Sequence, residues 1–527
     1  MKKKIISLLL SATMLIGVLA GCGEPEESTV QSGSSATTAA VSEDGVNLVY
    51  GLNGTWSSLQ IWNGPTTYSC MVQDVLFEPL AKAGQDSLEY RNASSIDVSE
   101  DGTVWTCHLN EDVTWSDGTP TTAEDWVWTF QQMTDPTFGT YETSYVTCIL
   151  AGTDDSGVLV EGEELGMKAL DDYTLEITFK QPTSLDGFFS WYGYYYRALP
   201  KHLLEDVAPA DLATCDFWEH PIGNGCLLYV DEPVTGQEIT FEKREGYYLG
   251  DVAFDTLTYR VGSSENATST LLNGDVDTFY NITDLDSLAE MESAENLQVN
   301  TYDSGGEIVE MSINNEKFNA NVRRALSLAI DRETMCEALT AGYGVPKMDS
   351  VSDSPECPGR DIEEAKRILD EEGWDYNYVI TIVCGTSREN QATIIQQNWA
   401  EIGVQSTIRT GETAANFADA MNGDVDCCIM ANNLSYAATV DSSILDPSST
   451  TYSRIQDSKY YDLCQEIDFE TDPEAKQALI DEYTELLRNE APYIYLYTIP
   501  KIIVSSSRVS GIKGGTADDP WEWTINN

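Results

Sequence analysis

Three consecutive lysines, Lys2, Lys3 and Lys4, precede an apolar stretch from Ile5 to Ala20 that only Ser, Thr and one Gly interrupt. A bilayer-spanning helix needs about 20 predominantly apolar residues, and this stretch falls short. Basic residues, a short apolar run and small residues in that order form an export signal. Everything after it is therefore expected to fold outside the cytoplasm. No later stretch is long and apolar enough to span a bilayer, so the rest of the chain must bury its apolar side chains in a core. With 527 residues, 42% of them hydrophobic, that core is large. At roughly 100–200 residues per domain the length predicts about three domains.

The apolar stretch ends in Leu19-Ala20-Gly21-Cys22, which resembles the lipobox of bacterial lipoproteins. The resemblance implies that residues 1–21 are a signal peptide and that Cys22 becomes a lipidated N-terminus, with the lipid membrane as partner. Such proteins carry several acyl chains, enough for stable anchoring. Residues 22–46 are rich in Ser, Thr, Ala and Glu, without period or bulk, and read as a flexible tether. Eleven cysteines follow at scattered positions, without a CxxC pair. A disulfide scaffold is denser than this, so buried free thiols are the reading for most. Vicinal Cys427-Cys428 lies in a Val425–Met430 segment that reads as a core strand.

Lys and Arg total 29 against 87 Asp and Glu, a formal net charge of -58. Affinity for nucleic acid comes from neutralising phosphates with Lys and Arg, so no nucleic-acid partner is expected. Aromatic residues make up 10% and are spread along the whole length, unlike a disordered acidic chain. The acidity therefore serves solubility. Enzyme signatures are missing: there is no nucleophile elbow, P-loop or HExxH. Only His108, His202 and His220 occur, without zinc spacing, so neither cofactor nor metal is expected. Gly223-Asn224-Gly225 lacks the third glycine of a dinucleotide fingerprint. Two carboxylates suffice for glycoside hydrolysis, which keeps a surface hydrolase as the rival reading from another class.

Trp105 to Leu109 alternates like a strand, Asp117-Gly118 turns, and Thr122 with Asp125 opens a capped helix over 123–133. As a unit, Val113-Thr-Trp-Ser-Asp-Gly-Thr-Pro-Thr-Thr-Ala-Glu-Asp-Trp126 resembles a motif of the extracellular solute-binding proteins of the oligopeptide/dipeptide type. Pro221-Ile-Gly-Asn-Gly-Cys-Leu-Leu-Tyr229 and Ile239 to Tyr248 follow in that family's order, with Asn224 and Cys226 where Thr and Pro are usual. Leu271 to Asp277, Val322 to Glu333 and Ala491 to Tyr497 continue the series. Asp361 to Trp374 adds a helix with a capping box at Asp361 and Glu364, an apolar face of Ile362, Ala365, Ile368 and Leu369, and a stop at Gly373.

The resemblance implies an α/β, two-lobed periplasmic-binding-protein-like fold with a discontinuous chain and an extra domain inserted in the first lobe. Mapped onto this sequence, lobe I is 47–92, 218–303 and 500–527, the extra domain 93–217 and lobe II 304–499. It implies no enzyme, but a monomeric, lipid-anchored substrate-binding protein of an ABC importer. Such a protein captures oligopeptides or dipeptides by hinge closure and delivers them to the permease subunits.

By the same resemblance three regions line the ligand cleft. The early loop supplies Trp62, Asn63, Gly64 and Tyr68, although Trp62 and Tyr68 would also suit a lobe core. Arg388, just before a helix, stands where relatives meet a ligand carboxylate. The third region precedes Pro447. Peptide-binding relatives place an Asp four residues before this proline, on the ligand amine, with a Trp upstream. Here Ser443 stands four before it, Asp441 lies two positions off, and Asp446 directly precedes the proline. The Trp position falls near Asn432-Asn433, with Tyr436 following. Charge-assisted contacts are about twice as strong as neutral ones. Either Asp441 captures the amine, or the ligand has none. In the latter case Asn432, Asn433 and Tyr436 suit an oligosaccharide.

Overall fold

The computed structural model describes residues 45–62, 66–84, 87–138, 146–185, 188–189, 193, 196–351, 357–433, 442–447, 452–470, 472–515 and 518–526. Residues 1–21 expected to be a signal peptide, Cys22, nearly all of the segment expected to be a tether, Asn63, Gly64, Tyr436 and Asp441 lie outside the described residues.

One mixed sheet of eleven strands organises residues 45–526. From one edge the order is Gln405–Thr410, Val379–Cys384, Cys427–Asn433, Leu297–Ile313, Tyr493–Ser506, Thr278–Tyr280, Asn47–Leu52, Thr256–Val261, Glu238–Lys243 and Leu227–Val234. Val345–Pro346 pairs with Tyr493–Ser506 off this path. Asn47–Leu52 runs parallel to both its neighbours, and Val379–Cys384 likewise. Parallel strands must be covered on both faces, and each half of the sheet is. Ala267, Leu271, Phe279 and Met291 pack on one face of the first half, and Tyr50, Phe241, Tyr259 and Trp523 on the other. In the second half Met335, Ile382 and Trp399 form one layer, and Cys428, Cys464 and Tyr483 the opposite one.

Two long antiparallel strands join the halves and make the fold two-lobed. Leu297–Ile313 and Tyr493–Ser506 pair from Leu297↔Ser506 to Tyr302↔Lys501, lose register, and resume at Glu307↔Ile499. Residues 303–306 stand opposite Pro500 in the gap. Pro500 has no N–H to give the ladder, and a proline inside a sheet is found at such irregularities. A separate four-stranded antiparallel sheet, Ala93–Val98, Val104–Leu109, Thr174–Thr178 and Met167–Asp171, shares the apolar core of the first half through Trp105, Trp115 and Trp126.

Local sequence signals account for several of these elements. Asp361 accepts a hydrogen bond from Glu364 N at 2.9 Å and opens helix Ile362–Glu371, which buries Ala365, Ile368 and Leu369. The Glu364 carboxylate pairs with Arg367 at 2.7 Å. Gly373 then takes φ 67°, a left-handed backbone that favours glycine. Asp125 Oδ2 accepts from Thr122 N at 2.8 Å at the start of helix Ala123–Met133. Gly223 and Gly225 are packing residues: a Cβ on them would lie 2.0 Å from Leu76 O and 2.3 Å from Val75 O. Gly225 N donates to that Leu76 carbonyl at 2.8 Å. Between them, Asn224 Oδ1 accepts from Glu78 N at 2.8 Å.

All eleven cysteines among the described residues are free thiols, eight of them buried. Cys427 and Cys428 face opposite layers of one strand, 1% and 0% exposed, and burial drives the Cys428 thiol up to about 12.

The C-terminal segment closes back on the first half through buried charge. Asp519 pairs with Lys82 at 2.6 Å and Arg91 at 2.9 Å. Tyr50 OH donates to Asp518 at 2.8 Å. Trp521 lies 5.2 Å from the Arg91 guanidinium, and Trp523 packs on Tyr50 and Phe254.

Candidate functional site

In the second half of the sheet, the chain after Val379–Cys384 turns into helix Glu389–Glu401, whose Ala392, Ile395 and Trp399 pack on one face. The helix that follows, Thr413–Asn422, leads back to Cys427–Asn433 and places Ala420 on the opposite face. The connections thus leave the sheet on opposite sides, and the crevice at the carboxyl ends of such strands is where open α/β sheets bind ligands. A cavity of about 360 Å³ opens there. Gly385, Ser387 and Arg388 line it from the first turn, Asn416 and Phe417 from the second helix, and Met430, Ala431 and Asn432 from the strand end. Glu307 closes it from the long strand, at the residue where the ladder resumes.

Arg388 is positioned from both sides. Trp399, fully buried, anchors its helix by donating from Nε1 to Leu326 O at 2.9 Å. Gln391 Nε2 donates to Tyr497 OH at 2.8 Å. The guanidinium meets Glu307, Nη2 to Oε2, at 2.9 Å, with side chains 25% and 34% exposed. Both ends of that pair therefore remain within reach of a ligand. Lys501 lies close by: burial pushes its ammonium below the ordinary lysine range and the Glu307 carboxylate opposes the shift. Asn432 Nδ2 donates to Glu310 Oε1 at 2.5 Å, which fixes its amide over a fully buried carboxyl group. From the first half, Tyr68 lies near Glu307, its phenol raised by burial and by that carboxylate. A Cβ on Gly54 would lie 2.2 Å from the Tyr68 ring, so glycine there admits the ring. Tyr280 meets it edge-on at 6.1 Å.

Arg388 and Asn432 from the sequence reading thus line one cavity. Asn433 ends the same strand, opposite Glu307 in register. Trp62 requires a correction. It is 1% exposed and packs edge-on against Phe138 at 4.8 Å and Trp218 at 5.6 Å, so it lies in the core and has no free face. Asp446 follows the short helix Ser442–Leu445 and is not among the cavity residues. Sequence reasoning missed Glu307, Ser387, Asn416 and Phe417. Arg388 was the available signal for Ser387, its neighbour. Nothing marked Glu307 among 87 acidic residues.

The family model described as bacterial extracellular solute-binding proteins, family 5 (middle part), matches residues 87–454. This chain belongs to that family. Proteins similar to it include the periplasmic oligopeptide-binding protein OppA of Escherichia coli K12, 29% identical over 335 residues. That alignment covers 58% of this chain and 59% of OppA, less than two thirds of the relative's length. Heme-binding protein A of Haemophilus influenzae is 27% identical over 558 aligned positions, covering 97% of this chain and 96% of the relative. Among solved structures, HbpA2 from Haemophilus parasuis has the same fold, with a TM-score of 0.76 at 20% identity, over 91% of this chain and 100% of that one. Family 5 members are extracellular solute-binding proteins, and this chain is a binding protein, not an enzyme. Among the described residues no helix is long and apolar enough to cross a membrane.

Proposed function

We propose that this family 5 protein is the monomeric, lipid-anchored capture subunit of an ABC importer, taking up peptides in the cleft and delivering them to the permease. The observation that carries this reading is the Arg388–Glu307 pair inside the cavity, beside the break in the long strands. A charged pair there suits a ligand with charged termini, and the break provides a hinge for closure around it. Similarity to a protein named for binding oligopeptides supports the class. A second relative named for binding heme shows that the fold alone does not choose the ligand. The reading includes the division into lobe I (47–92, 218–303, 500–527), extra domain (93–217) and lobe II (304–499), which the strand pairings support. An oligosaccharide is the second reading, favoured by the planar amides of Asn416 and Asn432 with the Phe417 ring beside them.

A thermal-shift screen of the full-length chain against di- to pentapeptides and oligosaccharides separates these readings. At a hundredfold excess over Kd a ligand stabilises by about 2.7 kcal/mol. Peptides are expected to shift the wild type, and Arg388→Ala to weaken them about tenfold or more. Shifts with sugars alone overturn the peptide reading. For the anchor, Cys22→Ala is expected to move the protein from the membrane fraction to the soluble one. Unchanged fractionation overturns lipidation at Cys22.

A further inference from the structure

Resting on the peptide reading, we propose that Glu307, not Asp441, receives the ligand's ammonium group, and that the Arg388–Glu307 pair holds the place of a zwitterionic ligand until one arrives. The two side chains pair at 2.9 Å inside the cavity that they line. Side chains a quarter to a third exposed are accessible to a ligand, yet sheltered enough for their charges to matter. A carboxylate alone would take Arg388 and leave Glu307 short of a partner. An ammonium alone would do the reverse. A ligand that carries both charges exchanges one ion pair for two, so the internal pair discriminates against singly charged ligands.

Glu307 has the geometry for this role. It is the first residue of the long strand to regain the ladder after the gap at 303–306, so its backbone is held in the sheet while its carboxylate reaches the cavity. Glu310, another acidic residue of the strand, is 0% exposed and already accepts from Asn432. It is therefore less accessible to a ligand. The departure from the family's pattern before Pro447 is then a transfer of the amine contact to a different strand.

The test measures affinities of the full-length protein for di-, tri- and tetra-alanine, each free, N-acetylated and C-amidated, with wild type, Glu307→Gln, Arg388→Gln and Asp441→Asn. Wild type is expected to prefer free over N-acetylated peptide by about tenfold, the scale of one charge-assisted contact. Glu307→Gln removes that preference and leaves the penalty for C-amidation, and Arg388→Gln does the converse. Asp441→Asn leaves both preferences in place. An amine preference that survives Glu307→Gln, or vanishes in Asp441→Asn, overturns the assignment while the peptide reading stands. If none of the peptides binds wild type, both readings fall. Circular dichroism of Glu307→Gln confirms that the variant is folded, so that lost discrimination is a property of the site.

Discussion

Asp519→Ala lowers the stability of the first half by about 3–5 kcal/mol, the scale of removing one partner from a buried ion pair. Asp519 is 1% exposed and lies between Lys82 and Arg91, themselves 7% and 8% exposed. Burial alone would raise its carboxyl; Lys82 and Arg91 outweigh burial and hold it below the ordinary aspartate range. Without it, Lys82 keeps the Asp518 carbonyl and Arg91 keeps Glu89, but two cations remain buried around one vacated anion. Lys513, which also pairs with Asp519, turns to Glu522 on the surface. Guanidinium unfolding followed by tryptophan fluorescence reads the change, since Trp521 and Trp523 lie on this segment. A loss below about 1 kcal/mol would show that the cluster contributes little beyond its own desolvation cost.

The same cluster makes the protein more stable at pH 5 than at pH 8. Burial raises the Glu78 carboxyl to about 7, against the opposing pull of Arg91, a hydrogen bond donated by Tyr247, and Lys82. Burial likewise raises Asp518 to about 6, opposed by Gly514 N–H, the Tyr50 hydroxyl and Lys513 N–H. Both groups hold protons in the folded state where the unfolded chain has released them. Their contribution is therefore complete below the unfolded values of about 4 and is lost as pH rises through 6 and 7. Asp519, depressed, acts in the other direction, and only as pH falls through its own lower value. The expected change across the window is on the order of a few kcal/mol. The many surface carboxylates add a slope of the same sign through self-repulsion, so the decisive comparison is between variants. Glu78→Gln should flatten the pH profile of the unfolding midpoint between 5 and 8. A profile parallel to wild type would remove Glu78 as its source.

Local signals were legible where one short segment determines an element. Asp361, its apolar stripe and Gly373 specify a helix and its end without help from the rest of the chain, and the structure contains that helix. Vicinal Cys427-Cys428 reads as core because its neighbours are apolar on both faces, as a strand in the middle of a covered sheet requires. The long strand Leu297–Ile313 was not legible from pattern, because Asp303-Ser304-Gly305-Gly306 carries the composition of a turn. Only pairing with Tyr493–Ser506, nearly two hundred residues away, carries the backbone through. Gly223-Asn224-Gly225 lacks the third glycine of a dinucleotide fingerprint, and what its glycines are needed for, a close approach to the 75–76 backbone, is a contact invisible in sequence. In the site, Arg388 was reached through its place in the family resemblance, whereas Glu307 became conspicuous only once its partner was known. Trp62 misled because an aromatic side chain in a loop reads equally well as ligand platform or as core.

The gap between Tyr302 and Glu307 has a mechanical consequence. A sheet resists bending because each rung keeps neighbouring strands in step, and a row of missing rungs acts as a crease. Here the crease crosses only two strands, with Pro500 on one side of it and four residues on the other. If the lobes close as proposed, flexure concentrates on that line, the panels on either side keep their own cores, and few backbone hydrogen bonds strain as they turn. The cost of closure is then confined to the crease, and a ligand spends correspondingly little of its binding free energy on bending the sheet.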